Sequence, residues 1–126
     1  DFISFSSMAG IIPILMTGGY NASKFAVSAF TEVLWHENRA SGVRFACVCP
    51  PPVATPLLAQ GYATVMPKTI EAMPPIEPRA VLEAIESALA KGEFWVFPGK
   101  GTRAGYLMRR FFPNLIWKDV HKKEGF

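Results

Sequence analysis

Ser6-Ser7-Met8-Ala9-Gly10, an apolar run, and then Tyr20-Asn21-Ala22-Ser23-Lys24 form the stretch on which the reading of this chain turns. The spacing of four between Tyr20 and Lys24 puts a phenol and an ammonium on one face of a helix, about a turn apart. A cation beside a phenol favours the phenolate. Bringing a phenol down by about 3 units, to neutrality, takes about 4 kcal/mol. One exposed lysine supplies less than that, so a second cation, or burial beside one, is required. Ile3 to Ser7 reads as a short buried strand ending in hydroxyl residues. In open α/β sheets the ligand crevice lies beyond the carboxyl ends of the strands, which aims those serines at any chemistry. Serines at a strand end also serve simply to satisfy a turn, and Ser6 competes with Ser7.

Working outward, Met8 to Met16 is apolar almost throughout. It is about half a membrane span and is broken by Pro13, so it does not cross a bilayer as a helix. It reads as a loop over a pocket, with Ile12, Ile14, Leu15 and Met16 as lining or as core, and Thr17-Gly18-Gly19 as the turn into the next helix. From Tyr20 to about Ala40, Phe25, Ala26, Ala29, Phe30, Val33 and Leu34 recur at helical spacing, and Ser41-Gly42 ends that helix. His36, among Glu37, Asn38 and Arg39, reads as a surface residue. Glu32 and Glu37 have no partner at metal-ligand spacing, so no metal site is expected.

Val43 to Cys49 is a second buried strand. Cys47 and Cys49 lie about 7 Å apart on one face of it, too far for an unstrained disulfide. They read as small buried side chains and fit an intracellular, cytoplasmic protein. Residues 56 to 78 hold five prolines among apolar residues, which rules out one long helix and a solvated linker alike. Glu77-Pro78-Arg79 opens a helix to about Lys91, Gly92 stops it, and Phe94-Trp95-Val96-Phe97 is a third strand. Strands alternating with helices predict an α/β fold, a doubly wound parallel sheet in three α/β/α layers.

Three ordered matches resemble the short-chain dehydrogenase/reductase family. Ser7, Tyr20 and Lys24 are similar to its Ser…Tyr-x-x-x-Lys signature, with Ser7 at the family's separation from the tyrosine. Ser6 to Gly10 resembles the end of its fifth strand, Tyr20 to Val27 the start of its active-site helix, and Val43 to Thr55 its sixth strand with the Pro-Gly-x-Val-x-Thr loop, although Pro51 stands where that loop usually has glycine. The resemblance implies an oxidoreductase using NAD or NADP on a hydrophobic alcohol and its ketone or aldehyde. Tyr20 would be the general acid/base and Ser7 would orient the substrate oxygen. Lys24 would hold the nicotinamide ribose, the oxidised ring supplying the second cation. It further implies cofactor contacts from Pro50, Pro51, Val53 and Thr55, substrate contacts from Ile14, Leu57 and Leu58, a substrate lid over 56–78 and a homo-oligomer. A scaffold protein of the same fold without catalysis, and a membrane-peripheral interaction domain using the basic tail, are the competing readings.

The family's glycine-rich pyrophosphate turn, its residue choosing NAD or NADP and its catalytic asparagine have no counterpart here; Gly99-Lys100-Gly101 lacks the remaining glycine of such a turn. Asp1 to Phe5 begins directly in a strand pattern without Met or a leader, so residues 1–99 are expected to be the carboxy-terminal half of a Rossmann-type domain, inactive alone. At 126 residues, 50% apolar and 18% charged, the chain is long and apolar enough for a real core and is not a disordered tail. Residues 100–126 form a basic, aromatic extension with seven Lys or Arg against Asp119 and Glu124, net +5, leaving −2 on the rest. Broken at Pro113, it suits an anionic membrane surface, a partner subunit or a cap on the pocket. Nucleic acid is not expected, for want of any recognition motif.

Overall fold

A computed structural model describes residues 1–126. Three short parallel strands form the sheet, β1 (Phe2–Phe5), β2 (Phe45–Val48) and β3 (Trp95–Val96), in the order β1-β2-β3. Phe2 pairs with Phe45 and Phe5 with Val48, while Cys47 pairs with Trp95 and Val48 with Val96. The strands are shorter than the apolar runs that encode them. Pairing nevertheless persists past their ends, where Ser6 N donates to Val48 O at 2.9 Å and Cys47 N to Phe94 O at 2.8 Å.

Because successive side chains of a strand point to opposite faces, the wholly buried β2 feeds two cores. Ala46 and Val48, with Val96 of β3, pack on Val81, Ile85 and Ala88 of helix α4 (Pro78–Lys91). Phe45, Cys47 and Cys49, with Phe94, face Leu34 and Trp35 of helix α1 (Gly18–Glu37). Trp35 stacks on Phe94 with ring centres 4.5 Å apart. These are the predicted α/β/α layers. Both cysteines are free and buried, and the contact with Cys47, then burial, push the Cys49 thiol above the ordinary cysteine range. It is a packing residue.

α1 lies in the sheet the other way round from what its apolar pattern suggests. Phe25, Ala26, Ala29, Phe30 and Val33 point to solvent, and of the residues at that spacing only Leu34 is half-buried. Its inner face is small and polar, with Ser28 and Thr31 buried. The reason is close approach, since a bulky side chain at Ser28 would hold the helix off β1 and off the turn that follows it.

The proline-rich segment forms two short helices, α2 (Pro56–Tyr62) and α3 (Lys68–Glu71). The tail forms α5 (Thr102–Phe111) and α6 (Pro113–Glu124), divided where Pro113 ends one helix and starts the next. α6 reaches back to α3, where the Glu124 carboxylate accepts from Lys68 N at 3.1 Å and from Thr69 N and Oγ1 at 2.6 Å each. α4 begins with Pro78 at its first position and ends at Gly92 with φ +69°, a left-handed cap that favours glycine.

Candidate active site

The carboxyl end of β1 organises the site. Beyond Phe5 the chain turns through a single 3-10 turn, Met8–Gly10, with Ser7 as its cap: Ser7 Oγ accepts from Ala9 N at 3.1 Å. Ser6 is buried, and its hydroxyl donates to Lys24 O at 2.9 Å and lies 2.8 Å from Ser28 Oγ. Geometry thus separates two neighbours that sequence leaves in competition. Ser6 pins α1 to the sheet, while half-buried Ser7 keeps its hydroxyl proton for another acceptor.

Gly10 makes this junction close. A Cβ there would collide with Ser6 Oγ and come within 2.7 Å of Lys24 O. The glycine is needed for space and not for a positive φ.

Tyr20 and Lys24 share a face as their spacing requires, with the Lys24 ammonium 5.7 Å from the centre of the Tyr20 ring. Lys24 Nζ donates to Phe5 O at 3.0 Å, which ties it to the strand end and leaves two of its three N–H bonds for a ligand. Tyr20 is 46% exposed. The run between the 3-10 turn and α1 is held by a residue that sequence reasoning passed over, Asn21. Its Nδ2 donates to Ile14 O at 2.7 Å and its Oδ1 accepts from Ile14 N at 3.3 Å. Thr17 Oγ1 adds a bond to Ile14 O at 3.0 Å. The available signal was an amide one residue after the tyrosine, where it can close the preceding loop.

The loop after β2 lies beside this group, with Met8 N donating to Pro50 O at 3.0 Å. The three prolines fit because the loop is tied mainly through carbonyls: Pro52 O accepts from Ile76 N, and Ala54 N donates to Ile76 O, each at 2.9 Å. Val53 forms a parallel bridge with Ile76. Pro51 lies near Gly99, where an added Cβ would lie 3.5 Å from Pro51 Cγ. Thr55 caps α2, accepting from Leu58 N at 3.4 Å and donating to Val53 O at 3.2 Å. Ile14 and Leu58 are half-buried and Leu57 is exposed.

With this geometry in place, the sequence model of the family described as short chain dehydrogenase matches residues 1–65, just over half of the chain and the part that holds Ser7, Tyr20, Lys24 and Thr55. The chain belongs to the short chain dehydrogenase family. A short-chain type dehydrogenase/reductase from Picea abies is 41% identical over 59 residues, 47% of this chain and 22% of that protein. Among solved structures, a short chain dehydrogenase from Burkholderia cenocepacia in complex with NADP matches with a TM-score of 0.75 at 20% identity, over 94% of this chain and 46% of that one. A short-chain dehydrogenase from Sphingobium yanoikuyae in complex with NADPH gives 0.68 at 18%, over 93% and 44%. A short chain dehydrogenase/reductase from Burkholderia phymatum in complex with NAD gives 0.63 at 21%, over 90% and 48%. The chain therefore spans about half the length of these solved dehydrogenases, and its three strands are part of a Rossmann-like dehydrogenase sheet.

For a dehydrogenase, the donor set at the strand ends fits the nicotinamide end of a dinucleotide. It has an ammonium with two free N–H bonds and a hydroxyl with a free proton. No glycine-rich turn for a pyrophosphate lies among these residues.

Proposed function

We propose that the whole protein is an NAD- or NADP-dependent oxidoreductase interconverting a hydrophobic alcohol and its ketone or aldehyde. The observation that carries this is Lys24, at once on Phe5 O at the carboxyl end of β1 and beside the Tyr20 ring, with Ser7 two residues beyond that strand end. The bound dinucleotides of the solved relatives support the cofactor class without choosing between the two forms. The cofactor supplies the hydride acceptor or donor.

Ser7 donates its free hydroxyl proton to the substrate oxygen and fixes that oxygen's position. Tyr20 takes the proton from the alcohol oxygen or returns it to the carbonyl oxygen. Lys24 holds the cofactor's ribose hydroxyls with its two remaining N–H bonds and brings positive charge beside the phenol. Pro50, Pro51, Val53 and Thr55 border the cofactor. Ile14, Leu57 and Leu58 give the substrate side an apolar wall, which favours a hydrophobic alcohol, and residues 56–78 close over it. The outward apolar ridge of α1, with Phe30 and Val33 exposed, supports a homo-oligomer.

The test is oxidation of NADH and NADPH by the full-length protein with a panel of aldehydes and ketones. Tyr20→Phe is expected to lower turnover by about 10²-fold or more while cofactor binding, read by reduced-nicotinamide fluorescence, is retained. Unchanged turnover in the variant refutes the role of Tyr20. A wild-type protein that binds cofactor but reduces nothing in the panel favours the scaffold reading.

A further inference from the structure

The tail has two sides. α5 turns Thr102, Gly105, Tyr106 and Arg109 inward, and Tyr106 stacks on Phe97 with ring centres 5.2 Å apart. α6 buries Val120 and half-buries Ile116 and Trp117. What remains outside is an apolar elbow at the joint between the two helices. Leu107 and Phe111, one turn apart on α5, continue into Phe112 and Leu115, and Phe111, Phe112 and Leu115 are 65%, 56% and 57% exposed.

Cations flank this strip. Arg103 and Arg110 run beside it on α5, and Lys118 and Lys122 share the outward face of α6 with Leu115 at spacings of three and seven. None of these four enters an ion pair, since the chain's three pairs are Arg44–Asp1, Arg79–Glu83 and Lys123–Asp119. A helix pair with aromatic tips and unpaired basic flanks matches a surface that is negative outside and apolar just beneath. No helix of the chain is long and apolar enough to cross a membrane, so the contact would lie in the interface.

We propose that the α5–α6 elbow docks the protein on an anionic membrane surface, with Phe111, Phe112 and Leu115 entering the headgroup layer and Arg103, Arg110, Lys118 and Lys122 facing the lipid phosphates. Charge favours this occupant over a second copy, which would bring one +5 tail against another. The apolar tip favours it over nucleic acid, whose backbone offers nothing for three exposed hydrophobic side chains. The proposal is independent of the reaction assigned to Tyr20.

The test is co-sedimentation of the full-length protein with vesicles of phosphatidylcholine alone and of phosphatidylcholine mixed equally with phosphatidylserine. Binding only to the anionic vesicles, weakened by salt, is expected. Each cation removed should lower partitioning about fivefold, so Arg110→Gln with Lys118→Gln costs about 25-fold. Phe111→Ser with Phe112→Ser should cost about tenfold or more per ring that inserts. All four positions are exposed in residues 1–126, and a thermal midpoint equal to that of the wild type checks that each variant keeps the fold. Absence of binding to either vesicle overturns the proposal. So does binding that survives loss of the two rings, or binding to duplex DNA of equal strength. Self-association that the ring variant abolishes, without vesicle binding, overturns it in favour of a second copy.

Discussion

Gly10→Ala tests the packing that sets the site. The added methyl collides with Ser6 Oγ and lies 2.7 Å from Lys24 O and 2.9 Å from its carbonyl carbon. The helix must move away from the 3-10 turn, or the Ser6 hydroxyl must leave Lys24 O and Ser28. Overpacking of this kind costs about 1–3 kcal/mol, and a buried hydrogen bond broken with its partner left behind adds about 1–3 kcal/mol. Allowing for overlap, the loss is about 2–4 kcal/mol. With a urea dependence of about 2 kcal/mol per M, the midpoint of the full-length protein falls by about 1–2 M. Tryptophan fluorescence reads it, since Trp35 lies on the core that α1 covers. Gly18→Ala is the matched control, because a Cβ there meets nothing within 4 Å and alanine favours the helix by about 0.5–1 kcal/mol. A Gly10→Ala midpoint equal to wild type, or raised as that of Gly18→Ala is, would refute the steric account.

The two serines should separate by assay. Ser6→Ala lowers stability by about 1–3 kcal/mol because Lys24 O and Ser28 lose their partner, whereas Ser7→Ala lowers turnover by about 10²-fold with a smaller stability loss; the reverse pattern would exchange their roles. Glu124→Gln should speed hydrogen exchange at residues 67–73, because one carboxylate caps α3 through three bonds. The same bonds, Thr69 Oγ1 foremost, hold the Glu124 carboxyl below its ordinary 4.5. A lowered value in the folded state makes the contact fully effective above 4.5 and lost as pH falls through the folded value. Protection of 67–73 should therefore fade only on the acid side of 4.5, and exchange that ignores both pH and the variant would dismiss the latch.

What was legible in the sequence rested on covalent spacing and local stereochemistry. Tyr20 and Lys24 share a face because a helix repeats every 3.6 residues, wherever that helix sits. Pro78 and Gly92 bound α4, Pro113 divides the tail, and the alternation of β2 supplies both cores because a strand repeats every two. The motif placed the chain in its family from residues within the first half.

What only the tertiary structure decided is which of several chemically equivalent groups meets which partner. Ser6 and Ser7 are the same residue type one position apart, and only the approach of α1 commits one to Lys24 O and leaves the other a proton to give. The apolar ridge of α1 faces outward, and Gly10, Asn21 and Ser28 carry the packing instead, because the small gap between helix and turn excludes larger side chains. Likewise the +5 of the tail is plain from composition, but the apolar elbow exists only because Tyr106, Arg109 and Val120 turn inward and leave Phe111, Phe112 and Leu115 exposed. These outcomes depend on distances between segments far apart in the chain, which no local pattern of residues contains.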